Sequence, residues 1–164
     1  MRSAYELITD PREVPARIGE LAARTVIYDV EPLVAPWDSS QDALDRGIAE
    51  VVGQAAQIRG VRAVCFATNS ARRPSRLPAG RPGLQVRYVV SARKPLRVGP
   101  YADLPGPGVV VGDQIATDGI LARRIGYSFL HFQPRRDSMP AGPHLLSGCG
   151  EVLRPLLFAR PGRP

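Results

Sequence analysis

Short apolar runs alternate with amphipathic stretches along most of this chain, and Pro/Gly-rich breaks separate them. Residues 14–23 place Ile18, Leu21 and Ala22 on one side of a 3.6-residue period, which predicts a short amphipathic helix. Pro15 suits its first turn, where the missing N–H costs nothing. Residues 24–30 are rich in β-branched side chains and are closed by Pro32, the pattern of a buried strand. Ser39 or Ser40 can cap a following helix whose apolar positions are Ala43, Leu44, Ile48, Val51, Val52 and Ala55. Residues 61–67 predict a second strand, 86–90 a third and 108–111 a fourth. A helix over 116–125 leads to a fifth strand over 127–132. Residues 69–85 carry too much Pro, Arg and Gly for a helix.

Strands alternating with helices imply an α/β fold, with a mostly parallel five-stranded sheet covered on both faces in three layers. In such sheets ligands bind at the carboxyl ends of the strands. The polar residues just after each apolar run therefore matter most: Asp29, then Thr68 and Asn69, then Lys94, then Asp113. All are expected at one sheet edge. No internal repeat and no second domain is visible. One domain over 1–134 is expected, followed by a Pro/Gly-rich tail over 135–164 that is partly ordered on it. The tail's apolar patch, Val152, Leu153, Leu156, Leu157 and Phe158, is expected to pack on the sheet, with a weak membrane contact as the other use for it.

Composition adds two points. The chain of 164 residues is 44% hydrophobic, enough for one core, while 16 glycines and 17 prolines imply long loops. No apolar run reaches transmembrane length, and the first residues lack the basic-then-apolar order of a secretory signal. Cys65 lies in an apolar strand and Cys149 in the tail; neither has metal-ligand spacing, and two cysteines make no disulfide framework. A cytoplasmic location is the expectation.

Charge is more informative in its distribution than in its sum of +7. No Asp or Glu occurs from Val51 to Ala102, a stretch holding nine arginines and Lys94. Such a block either faces something anionic or is a solvated face. No aromatic residues interleave Arg72, Arg73, Arg76 and Arg81, so a base-stacking nucleic-acid platform is disfavoured. Among 22 basic residues Lys94 is the only lysine. That exception points to a task needing a compact ammonium.

Two acids, a hydroxyl and an ammonium at one sheet edge make a phosphate-handling set. Asp29 and Asp113 can give hard oxygen ligands to Mg²⁺. Thr68 can donate to phosphoryl oxygens, and Lys94 can neutralise charge that moves during transfer. A carboxylate can also act as nucleophile through an aspartyl-phosphate. Taken singly, each of these residues also has an ordinary use as a turn, a cap or a surface cation.

Val26-Ile27-Tyr28-Asp29-Val30-Glu31 resembles the first motif of the haloacid-dehalogenase (HAD) superfamily. Phe66-Ala67-Thr68-Asn69-Ser70 is similar to its second motif, Ala92-Arg93-Lys94-Pro95 to its third, and Val111-Gly112-Asp113-Gln114-Ile115-Ala116-Thr117-Asp118 to its fourth. The fourth, with Pro36-Trp37-Asp38 and the Lys-Pro pair, resembles subfamily IIIA, the YqeG-like branch that includes phosphatidylglycerophosphate phosphatases. The resemblance covers about residues 14–134. It implies a three-layer Rossmann-like HAD core. Asp29 would be nucleophile and Mg²⁺ ligand, and Glu31 the general acid/base, with its backbone carbonyl touching the metal. Thr68 and Asn69 would bind phosphate, Lys94 would bridge phosphate and nucleophile, and Asp113 would complete the metal site, supported from behind by Asp118. The chain departs from the pattern at Glu31, where Asp is usual, at Pro32, and at Leu33, where Thr is usual. The receiver-domain arrangement of Asp, Thr and Lys is rejected because there the lysine comes last.

The gaps after the first and second motifs are too short for a cap domain. An open site needs its substrate to help exclude water. The expected substrate is therefore a phosphomonoester on a bulky or lipid-borne carrier such as phosphatidylglycerophosphate, with peripheral contact to an anionic membrane through the basic block. The second expectation, kept by Glu31, Pro32 and Leu33, is a catalytically impaired HAD domain that binds a phosphoryl ligand or a protein.

Overall fold

The computed structural model describes residues 4–133 together with Arg154, Pro155, Leu157 and Phe158. Cys149, Val152, Leu153 and Leu156 lie outside the described residues. The strands are β1 (Tyr5–Ile8), β2 (Thr25–Asp29), β3 (Ala63–Ala67), β4 (Gln85–Val89), β5 (Gly108–Gly112) and β6 (Ser128–Phe132). The helices are α1 (Val14–Glu20), α2 (Gln41–Gln57) and α3 (Ile120–Ile125). The strands form one sheet in the order β1-β6-β5-β2-β3-β4, every pairing parallel. This is compatible with a Rossmann-like core.

The expected five mostly parallel strands are thus corrected to six wholly parallel ones. The addition is β1, an edge strand of four residues on β6 that includes half-polar positions and Leu7, which is 44% exposed. An edge strand packs less of its surface, so it needs no apolar run of the kind that marks β2 or β5.

The central strands are buried on both faces, and their alternation sorts the core into two halves. Val26, Tyr28, Val64, Phe66, Val109 and Val111 point to one side, beneath Val14 and Ile18 of α1 and Leu44, Ile48, Val52 and Ala55 of α2. Ile27, Cys65, Ala67, Val110 and Phe129 point to the other, beneath Leu121 and Ala122 of α3 and the segment bearing Tyr101 and Leu104. Burying each such large aliphatic side chain of α2 stabilises the fold by about 1.5–3 kcal/mol. Leu157 and Phe158 pack against the second half, with the Phe158 ring 4.9 Å from that of Tyr5. No helix among the described residues is long and apolar enough to cross a membrane.

Ser40 begins α2, its hydroxyl accepting from the Ala43 N–H at 3.2 Å. The helix expected over 14–23 ends earlier, because Ala22 turns left-handed at φ 48°. The helix expected over 116–125 divides. Ile115–Gly119 forms a π-helical turn, and only Ile120–Ile125 is α-helical, closed by Gly126 at φ 74°. Such wide turns are frequent at functional sites. This one folds Asp118 back over the end of β5.

Candidate active site

Parallel order puts the carboxyl ends of all the strands at one edge of the sheet, and β5, β2 and β3 are neighbours at its centre. Asp29 is the last residue of β2, Thr68 directly follows β3 and Asp113 directly follows β5. Their convergence follows from chain connectivity alone. All three are buried.

Lys94 reaches the same point from a loop. Beyond β4 the chain continues to pair with the loop after β3: the Ala92 N–H donates to the Thr68 carbonyl (2.8 Å) and the Ser91 N–H to the Ser70 carbonyl (2.9 Å). Ser91 and Arg93 are left-handed, at φ 48° and 53°, a conformation that disfavours side chains with a Cβ by roughly 1–2 kcal/mol each. The Asn69 side chain then holds the Lys94 backbone, its Oδ1 accepting from the Lys94 N–H at 2.7 Å and its Nδ2 donating to the Lys94 carbonyl at 3.3 Å. The Asn69 amide is therefore engaged in orienting Lys94. From α3, Arg124 donates to the Leu96 carbonyl at 2.8 Å and steadies the far side of this loop.

The lysine ammonium lies 2.8 Å from Asp29 and 2.7 Å from Asp118. Asp29, Asp113 and Asp118 each offer an oxygen, and these oxygens lie within 4.8 Å of one another. The cluster can hold a metal ion. An independent observation supports that capacity: both carboxylate oxygens of Asp113 are buried with no hydrogen-bond partner among the described residues. Buried carboxylate oxygens are normally satisfied, and one hard cation would satisfy them. Gly112 lets Asp118 approach, since a Cβ at that position would collide with the Asp118 carboxylate. The remaining Asp118 oxygen accepts from the Gln114 N–H at 3.3 Å.

These groups perturb one another. Burial, then the charges of Asp118 and Asp113, raise the Asp29 carboxyl well above the ordinary range, against the pull of Lys94. Burial and Asp118 push Asp113 up to about 7. Burial opposes the Lys94 ammonium, but Asp118 and Asp29 outweigh it and its pKa is raised. The raised Lys94 value keeps the ammonium charged, and added positive charge would favour the ionised forms of Asp29 and Asp113.

Glu31 stands apart from the three-aspartate cluster. One of its oxygens accepts from the Thr68 hydroxyl at 2.8 Å, and the other lies 3.9 Å from the Arg72 guanidinium. The Thr68 oxygen also meets the Ser70 hydroxyl at 2.9 Å and accepts from the Ser70 N–H at 3.0 Å. Asp29, Glu31, Thr68, Lys94, Trp37 and Arg72 line one open cavity of about 320 Å³, completed by Asn69, Ser70, Gln114 and Thr117. Neither the segment after β2, up to α2, nor the loop between β3 and β4 contains a helix or strand.

Sequence reasoning named Asp29, Glu31, Thr68, Asn69, Lys94, Asp113 and Asp118, and the structure brings all seven to this sheet edge. It missed the individual parts played by Ser70, Trp37, Gln114 and Thr117, whose types carry no signal away from the fold. It read Arg72 only as part of a basic block. Arg72, Arg81 and Arg87 are each bonded to backbone carbonyls, and Arg87 also pairs with Asp103 at 2.7 Å. Arg59, Arg62, Arg73, Arg76, Arg93 and Arg97 are exposed. No family model, curated protein or solved structure matches this chain.

Proposed function

We propose that this protein is a HAD-type, Mg²⁺-dependent phosphomonoester hydrolase acting through an aspartyl-phosphate at Asp29. The observation that carries the reading is the joint presence of a buried ammonium on the Asp29 carboxylate and, beside it, the buried Asp113 carboxylate, unpartnered among the described residues. Mg²⁺ would be held by Asp29 and Asp113, with Asp118 adjoining, and would supply positive charge that favours ionised Asp29 and a phosphoryl group next to it.

The chain's residues then have complementary tasks. An Asp29 oxygen attacks phosphorus, and the bond from phosphorus to the leaving oxygen breaks. Glu31, as acid, gives its proton to that oxygen. Water next attacks the phosphorus of the acyl phosphate while Glu31 takes the water's proton. The bond from phosphorus to the Asp29 oxygen breaks, which returns both carboxylates to their starting forms. Thr68 donates to a phosphoryl oxygen, and Lys94 holds Asp29 in place while offsetting charge on the transferring group.

The cavity is open and no domain covers it among the described residues, which supports a substrate whose own bulk excludes water, a phosphate on a large or lipid-borne carrier such as phosphatidylglycerophosphate. The exposed arginines following Thr68, Arg73 and Arg76, support contact with an anionic carrier or membrane inner face. The cytoplasmic setting belongs to this reading.

One observation favours a second reading, a catalytically impaired domain that binds phosphoryl ligands or a protein. The Thr68 hydroxyl and Glu31 carboxylate bond to each other, so both must release before acting on a substrate. Phosphate release from soluble and lipid phosphomonoesters separates the two, measured with Mg²⁺ and with EDTA on the parent and Asp29→Asn. Mg²⁺-dependent release lost in Asp29→Asn is the expected result. No release from any substrate would favour the binding domain.

A further inference from the structure

Arg72 ties together the two loops that frame the cavity. It sits on the loop after β3, and its guanidinium crosses to the segment after β2. One terminal nitrogen donates to the carbonyls of Ser39 (2.6 Å) and Ser40 (3.1 Å) and to the Ser39 hydroxyl (2.7 Å). The other donates to the carbonyls of Pro36 (3.0 Å) and Trp37 (3.5 Å) and stands 3.9 Å from the Glu31 carboxylate. The arginine's own backbone is held at both sides. Its N–H donates to the Ser70 hydroxyl at 3.2 Å, and its carbonyl accepts from the Tyr88 hydroxyl at 2.9 Å.

We propose that Arg72 is a positioning residue that locks the 31–40 segment against the loop after β3, and so fixes Glu31 and Trp37 at the mouth of the cavity. For its kinetic consequence this role rests on the phosphatase reading; for its geometry it does not. The segment has no helix or strand; Val34 and Ala35 anchor its middle in the core, and the Arg72 bonds to residues 36–40 tie its second half to the loop after β3. A planar fork of five donors can serve several carbonyls at once, which the point charge of a lysine cannot. The reach matters because Glu31 has to meet the leaving oxygen, and a misplacement of roughly 1 Å can cost about 10²-fold in rate. The same tie sets the wall that a leaving group meets, since Trp37 lines the cavity and its carbonyl is one of the groups Arg72 holds.

Trp37 is the sole tryptophan, which gives a readout independent of turnover. The experiment compares full-length parent, Arg72→Ala, Arg72→Lys and the exposed-site control Arg46→Ala on α2. Acrylamide quenching of tryptophan fluorescence is measured without ligand, and kcat and KM with p-nitrophenyl phosphate and Mg²⁺. Arg72→Ala is expected to raise the quenching constant and lower kcat by about 10²-fold, with KM changing less than about threefold. Low millimolar guanidinium should partly restore both, Arg72→Lys should restore neither, and Arg46→Ala should match the parent. Parent-like quenching in Arg72→Ala and Arg72→Lys would overturn the proposal, as would full activity in Arg72→Lys. If Arg72→Ala does not fold, Arg72→Lys decides by the same two readouts. Absence of phosphate release in the parent would remove the phosphatase reading alone; raised quenching in the variants would still establish the tie, and unchanged quenching would refute it.

Discussion

The ammonium of Lys94 lies 2.8 Å from a carboxylate oxygen of Asp29, and among the described residues no other basic side chain forms an ion pair with that carboxylate. The same ammonium meets Asp118 at 2.7 Å, and all three side chains are buried. Removing the cation therefore leaves buried negative charge without compensation, while a larger cation has to fit the same buried space.

Lys94→Met should lower stability by about 3–5 kcal/mol at neutral pH, the usual cost of breaking a buried pair from one side. Lys94→Arg should fold, but with its larger planar head it should bind beryllofluoride with Mg²⁺ at least about tenfold more weakly. Urea unfolding checks the first statement and a fluoride-analogue titration the second. An arginine variant with parental affinity would reduce Lys94 to a structural cation.

Asp113→Asn should weaken Mg²⁺ binding while keeping the fold, because it removes a charged hard ligand from a site the backbone already builds. Calorimetric titration with unchanged Mg²⁺ affinity would remove Asp113 from the metal site.

The pH dependence has a definite sign. In EDTA, a carboxyl whose folded-state pKa is raised stabilises the fold fully below its unfolded value and loses that contribution as pH climbs through the folded one. For Asp113 those values are the ordinary 3.8 and about 7. The metal-free parent should thus lose stability between pH 4 and pH 8, by on the order of 4 kcal/mol from this group. Asp113→Asn should flatten that decline. Mg²⁺ affinity should rise over the same window as the ligands give up protons. Chemical denaturation at pH 4.5, 6 and 8, with and without EDTA, tests both, and a metal-free parent that grows more stable toward pH 8 would contradict the assignment.

Glu31→Gln should remove most phosphate release at saturating Mg²⁺, because the amide can neither give nor take the proton. Glu31→Asp should keep or raise it, the shorter side chain releasing the Thr68 hydroxyl that Glu31 now holds at 2.8 Å. Equal rates in parent and Glu31→Gln would take Glu31 out of the reaction.

The site was legible in the sequence to the extent that it lies at the ends of apolar runs. Asp29, Thr68 and Asp113 directly follow such runs, and parallel order makes their convergence a matter of topology. Lys94 stood out by its rarity as a cation whose task needs a compact ammonium, and the structure buries it against Asp29 and Asp118. The π-helical turn was not, because Ile115–Gly119 has the composition of an ordinary helix start and widens to place Asp118 over Gly112. Edge strand β1 offered four residues and only one fully buried side chain, too little to stand out from a loop. Arg72 was hidden among its neighbours: Arg73 and Arg76 have the same chemistry and are exposed, so only the fold separates the fastened arginine from the exposed ones.

The most direct test of an Asp29 nucleophile is to trap it. The protein is mixed with a turned-over phosphomonoester and Mg²⁺, acid-quenched, reduced with borohydride and mapped by mass spectrometry. An acyl phosphate at position 29 is reduced to homoserine, whereas a free carboxylate is not. Conversion at Asp29 that requires both substrate and Mg²⁺ is the predicted result. Phosphate release with Asp29 unconverted, and unimpaired in Asp29→Asn, would contradict it.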